Sequence, residues 1–241
     1  MSWRADGWPA MGTAVASGAE KGEPVLTHAK PKATSPATAA PATSDEFNSL
    51  TLGQQWQWQA NPRPEFFSLA TANGALRLAC VAAPSPTSLY DAPNLLLQKF
   101  SAPAFTATTV LELASARDGD EAGLIVFGYS YAWIGLRKTS TGVRVVQITN
   151  VDANKPSTER ESGSLAMTAN RIFLRVTVAA DAKCRFAYSS DGNSFTPLGD
   201  ELQATVARWV GAKVGVFAAS SAASASSGQG HADFDFFRVT P

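Results

Sequence analysis

Acid–base hydrolysis needs two carboxylates projecting into one cleft, and a strand supplies them when acidic residues fall at alternating positions. The string Glu-x-Asp-x-x-Glu that would do this is absent from the 241 residues. Glu159 and Glu161 alternate across Arg160, but they sit in the polar stretch from Asp152 to Ser164, which reads as a solvated loop. Asp118-Gly119-Asp120-Glu121 separates two apolar runs and reads as a hairpin loop rather than a catalytic or metal cluster. Ser-His-Asp chemistry lacks its nucleophile elbow, and His28 and His231 stand in unrelated contexts. No glycine-rich phosphate loop is present. Cys80 and Cys184 both lie in strand-like runs and read as buried free thiols; with two Cys and two His, a zinc site is excluded. The chain reads as non-catalytic.

The aromatic residues point to binding instead. Sugar rings present flat C–H faces that stack on aromatic planes, while amides take up the hydroxyls. The phrase Trp56-Gln57-Trp58-Gln59-Ala60-Asn61 offers that combination, as does Tyr90 followed by Asn94 and Gln98. In Gly128-Tyr129-Ser130-Tyr131-Ala132-Trp133, three aromatics share one face of an extended strand. Core packing is the competing reading for each of them. Candidate sugar contacts are therefore Trp56, Trp58, Asn61, Tyr90, Asn94, Gln98, Tyr129, Tyr131 and Trp133. A second candidate joins the two ends of the domain, because first and last strands of a sandwich often pair. That would bring Asp45 and Glu46 near Asp233 or Asp235, an oxygen-rich set suited to a structural Ca²⁺, with Asp45, Glu46 and Asp235 as its ligands. Solvent-facing carboxylates are the alternative.

The elements that must position these residues are strands. Runs of about 5–8 residues alternate apolar and polar around Leu76, Val110, Val145, Ile172 and Phe234. Gly123-Leu124-Ile125-Val126-Phe127 is apolar throughout, as a strand covered on both faces would be. Asp191-Gly192 marks a hairpin turn. No segment carries a helical stripe, so the expected fold is all-β, a two-sheet antiparallel β-sandwich. Residues 1–30 form an N-terminal tail, 31–44 a Pro/Ala/Thr linker, and 45–241 the sandwich domain.

Composition narrows the partners. Lys plus Arg and Asp plus Glu both number 20, and that balance argues against nucleic acid. No window approaches 18 apolar residues, so no membrane span is expected. Met1-Ser2-Trp3-Arg4-Ala5-Asp6 lacks the basic start and apolar stretch of a signal peptide. A monomer is expected.

Several phrases together resemble the C-terminal sandwich of family 43 glycoside hydrolases, which are β-xylosidases and α-arabinofuranosidases. They are Ser44-Asp45-Glu46-Phe47-Asn48, Trp56 to Pro62, Ala92-Pro93-Asn94-Leu95-Leu96-Leu97-Gln98-Lys99, Trp209 to Gly215, and Ala232-Asp233-Phe234-Asp235-Phe236-Phe237. Asp6-Gly7-Trp8-Pro9 and Gly22-Glu23-Pro24-Val25 resemble the last turn of that family's catalytic propeller. The resemblance implies a concanavalin A-like jelly roll acting as an accessory module, with the catalytic carboxylates in a propeller outside residues 45–241. It implies xylan, arabinoxylan or xylo-oligosaccharides as partners, in a carbohydrate-binding module. The alternative is a docking module that packs on a glycosidase catalytic domain. In some family members the sandwich also lends an aromatic to the propeller's pocket, and the corresponding stretch Gly211 to Gly215 carries Lys213 instead.

Overall fold

The computed structural model describes residues 40–70, 74–115, 117–221 and 230–241, and in the N-terminal stretch 2–3, 7, 9–10, 12–14, 22–25 and 27. The chain divides into two compact units, Met1–Ala40 and Pro41–Pro241. The first holds two short antiparallel pairings, Ser2–Trp3 with Pro9–Ala10 and Thr13–Ala14 with Gly22–Glu23. Residues 31–39 of the expected linker lie outside the described residues.

The second unit is the sandwich. In chain order its strands are β1 (Gln57–Trp58), β2 (Phe67–Ser68), β3 (Leu76–Ala79), β4 (Val81–Ala82), β5 (Leu95–Lys99) and β6 (Phe105–Ala114). Then come β7 (Asp120–Phe127), β8 (Tyr131–Thr139), β9 (Gly142–Asn150), β10 (Arg160–Met167) and β11 (Arg171–Val178). The last are β12 (Lys183–Ser189), β13 (Thr196–Pro197), β14 (Leu202–Gln203), β15 (Lys213–Ser220) and β16 (His231–Thr240). Sheet A runs β13-β12-β11-β6-β16-β3-β2, with β14 also on β12. Sheet B runs β10-β9-β8-β7-β15-β5-β1, with β4 alongside β15 as the one parallel pairing among the described strands.

Period two explains sheet A. In β11, Ile172, Leu174, Val176 and Val178 are buried while Arg171, Phe173, Arg175 and Thr177 face outward. These apolar positions meet Leu124, Ile134 and Val145 of sheet B in the inter-sheet core. Full burial of each such side chain stabilises by about 1.5–3 kcal/mol. In sheet B the alternation disappears, because β7 and β15 are buried at every position. A second apolar cluster covers the outer face of this sheet: Ile125, Phe127, Tyr131, Trp133, Ile148 and Phe217 pack with Leu89 and Ala92 from the segment before β5.

The chain ends meet as the sequence leads one to expect. Asp45 and Phe237 exchange both backbone hydrogen bonds, at 2.8 and 2.7 Å. The Asp191-Gly192 turn also forms: Gly192 has φ +77°, and the Asp191 carboxylate accepts from the Asn193 and Ser194 amides. Those donors hold its pKa down at about 2. Cys80 and Cys184 are both free and buried, and burial raises both thiol pKa values.

Candidate functional site

The outer face of sheet B decides the fate of the aromatic candidates. Alternation on β8 points Tyr131 and Trp133 to this face, and the segment 83–93 lies over them like a strap. Both side chains are 0% exposed. The Tyr131 hydroxyl accepts from the Leu89 amide at 2.6 Å and donates to Glu159 Oε1 at 2.7 Å. Trp133 stands edge-on to Phe217 at 5.1 Å and donates from Nε1 to the same Glu159 oxygen at 3.3 Å. The strap is tied down again where the Glu159 amide donates to the Thr87 carbonyl at 2.9 Å. Neither ring offers a face to a sugar. Tyr129 is not on the strand but in the turn before it, half-buried, and Tyr90 is half-buried with its ring stacked on Phe127 at 5.7 Å.

The other candidates are also structural. Trp56 is buried between Phe47 and Phe237, and its Nε1 donates to Asp45 Oδ2 at 2.8 Å. Trp58 packs on Phe67 at 4.9 Å. Asn94 is buried and donates to the Ala79 and Phe66 carbonyls, and buried Gln98 donates to the Thr43 carbonyl. Asn61 is exposed, in the loop 61–63. The amide-plus-aromatic phrases are cores and braces of the strand ends. Their periodicity could not separate a ring on the inner face from one covered by a distant loop.

The expected calcium ligands do not fit the ion. Asp45 caps the Phe47 amide and the Trp56 indole; Glu46 forms a two-bond pair with Arg238, both contacts 2.7 Å; Asp235 pairs with Arg171 at 2.6 Å. Each carboxylate thus already has its cation or donors, and among the described residues no three His, Cys, Asp or Glu side chains could hold a metal.

Two acidic stretches, one read as a hairpin loop and one as a solvated loop, are instead partly buried. Asp120 and Glu121 open β7 inside the protein, with Asp120 bonded to Ser115 and Arg117. Glu121 on β7 and Glu159 beside the strap converge on Arg137 of β8, at 2.8 and 4.0 Å, and Glu161 of β10 approaches the same guanidinium at 3.5 Å. The group borders a cavity of about 330 Å³. Burial pushes the Glu121 carboxyl up to about 7 from its ordinary 4.5, outweighing the pull of Arg137, and the Glu159 and Asp120 charges add to the rise. A pKa raised in the folded state stabilises fully below pH 4.5 and is lost as pH rises through 7. Glu121→Gln should therefore remove this loss. In melts from about pH 5 to about pH 8, the wild type is expected to fall steadily behind the variant, and parallel curves would refute the assignment.

One aromatic stands apart. Trp209 is 91% exposed and has φ +67°, at the tip of a tight turn closed by the Ala207 amide on the Val210 carbonyl at 2.9 Å. Left-handed backbone is disfavoured for a bulky side chain, and such conformations persist where the surrounding structure holds them, often at functional sites. Tyr90 lies close enough to this turn to feel Arg208: burial raises the pKa of its hydroxyl, and the Arg208 charge opposes the rise. Lys213, two strand positions before Gly215, does not reach outward: it is buried and donates to Gln59 Oε1 at 3.0 Å. The exposed aromatic missed by the sequence reading is thus four residues upstream of Lys213. Its signal was a tryptophan in a loop phrase with no alternating neighbours.

Two packed antiparallel sheets with a strap over one outer face define a concanavalin A-like β-sandwich. Residues 44–240 match the family described as the β-xylosidase C-terminal concanavalin A-like domain, and the chain belongs to that family. A β-xylosidase of Formosa agariphila is 28% identical over 96% of this chain and 40% of its own length. A non-reducing end α-L-arabinofuranosidase of Bacteroides ovatus is 30% identical over 52% of the chain and 22% of its own length. A crystal structure of a GH43 protein from Bacillus licheniformis matches with TM-score 0.69 and 23% identity, over 99% of this chain and 45% of that one. The chain spans less than half the length of these relatives. A match over 96% of the chain cannot be contained in residues 44–240, so it extends into the N-terminal unit.

Proposed function

We propose that this sandwich is a non-catalytic accessory module of a family 43 glycosidase that packs against the catalytic domain and presents Trp209 to the sugar held there. The observation that carries the reading is the almost fully exposed Trp209, fixed in a left-handed turn while the other candidate stacking rings are buried or half-buried. The likeness to a family enzyme, which extends upstream of residue 44, supports this reading. Xylan or a related hemicellulose would then be met at this edge, shared with the catalytic domain, rather than on a free platform built from Trp56, Trp58, Tyr131 and Trp133. Hydrolysis by the chain alone is not expected, since Glu121 and Glu159 are both committed to Arg137 and the strap contacts.

The test is to join the chain, or its Trp209→Ala variant, to a family 43 catalytic domain and compare kcat/KM on xylobiose. Loss of a stacked ring is worth about 0.5–1.5 kcal/mol, so the variant should fall about two- to tenfold with its melting temperature unmoved. Equal kinetics would sink the role of Trp209. Native gels of the chain alone provide the contrast: retardation by neutral xylan that survives Trp209→Ala would locate sugar binding elsewhere.

A further inference from the structure

The outer face of sheet A carries a groove that neither the strap nor the Trp209 edge involves. Register builds it: Thr108 of β6 stands opposite Arg175 of β11 on one side and Arg238 of β16 on the other. One step along, Thr106 stands opposite Thr240. These threonines form the floor of a cavity of about 430 Å³, with Phe173 and Phe236 as apolar walls. That volume lies in the range of small-molecule sites.

The two arginines differ in their partners. Arg238 is neutralised by Glu46 and lies over the Phe236 ring at 4.0 Å. Arg171, further along β11, is neutralised by Asp235. Arg175 forms no ion pair among the described residues; its Nε donates to Thr108 Oγ1 at 3.1 Å, and its guanidinium lies on the Phe195 ring at 3.5 Å. Asp191, the acid of the neighbouring turn, is instead occupied by Ser189 and by the amides of Asn193 and Ser194. Stacking and the Nε bond fix the plane of the Arg175 fork, and its two terminal nitrogens make no hydrogen bond within the described protein. A fixed, charged fork without a carboxylate is the half-site of a bidentate pair.

We infer that this groove is a binding site for an acidic sugar, with the carboxylate of a uronic acid residue on Arg175, its hydroxyls on the threonine floor and its C–H faces against Phe173 and Phe236. The inference is independent of the Trp209 reading. It makes the module a reader of charge on an otherwise neutral polysaccharide, at a site remote in sequence from the Trp209 turn.

The test is an NMR titration of the full chain with digalacturonic acid, xylobiose and sodium acetate in parallel. The acidic disaccharide should shift Arg175 Nε and the Thr106, Thr108 and Thr240 amides, and xylobiose should leave them unmoved. Raising salt from about 0.05 to about 0.5 M should weaken the binding, since a surface charge pair is screened. Arg175→Ala should lower affinity at least about tenfold, and Arg175→Lys by less. Absence of saturable shifts with digalacturonic acid, or equal affinity in Arg175→Ala, would overturn the site. Acetate binding as tightly as the disaccharide would overturn its assignment to a sugar.

Discussion

Replacing Trp133 by alanine is expected to cost about 3–5 kcal/mol of stability, as for a large aromatic removed from a packed interior. The ring is fully buried, touches Phe217 edge-on, anchors Glu159 through its indole nitrogen and lies 5.3 Å beneath the Arg137 guanidinium. Its loss would open a void under the strap and leave Glu159 held by Tyr131 and the more distant Arg137. For a domain of this size the melting temperature should drop by roughly 6–20 °C. Denaturant titration gives the direct measure, with the midpoint lowered and the slope retained. A surface stacking residue would behave in the opposite way: binding would fall while stability moved by no more than about 0.5 kcal/mol. That second result would mean that the strap does not cover this face in solution.

Gly135→Ala should be comparably damaging for a different reason. Gly135 of β8 faces Gly123 of β7 in register, at the centre of sheet B. A methyl group on Gly135 would lie 2.0 Å from the Ala122 carbonyl oxygen and 2.7 Å from Gly123 Cα, and one on Gly123 would lie 2.2 Å from the Ile134 carbonyl oxygen. These are backbone atoms, so no rotamer change relieves the clash and the two strands must separate. A cost of about 3 kcal/mol or more is expected, with much of the protein insoluble on expression. Gly211→Ala is the control: nothing lies within 4 Å of its added methyl, and its melt should match the wild type. Indistinguishable melts for the two variants would show that sheet B tolerates a wider strand spacing than this packing implies.

How far the fold was legible follows from what repeats locally. Alternation along Arg171–Val178 was sufficient to place Ile172, Leu174 and Val176 inward, because pleat geometry is a property of the strand itself. The unbroken apolar run in β7 likewise announced a strand covered on both sides. The Asp191-Gly192 turn and the meeting of Asp45 with the last strand were readable for the same reason: each rests on a few adjacent residues or on a common rule of sandwich closure.

The site was less legible because it depends on what lies opposite. Tyr131 and Trp133 do share a face, as alternation requires, but only the tertiary structure lays Leu89 and Glu159 across it and turns a sugar platform into core. Glu159 looks solvated in its polar stretch, yet long-range packing makes its carboxylate the acceptor for two buried aromatics. Asp45, Glu46 and Asp235 suggest a cation by residue type and the expected pairing of the chain ends, but in the fold Trp56, Arg238 and Arg171 hold them separately. The sequence by itself therefore determined the strands, their inward faces and the family phrases, since these follow from periodicity and short-range chemistry. Which rings are covered, and that Arg175 has no carboxylate beside it among the described residues, were decided only by the tertiary structure, because burial and charge pairing are set by side chains tens of residues away.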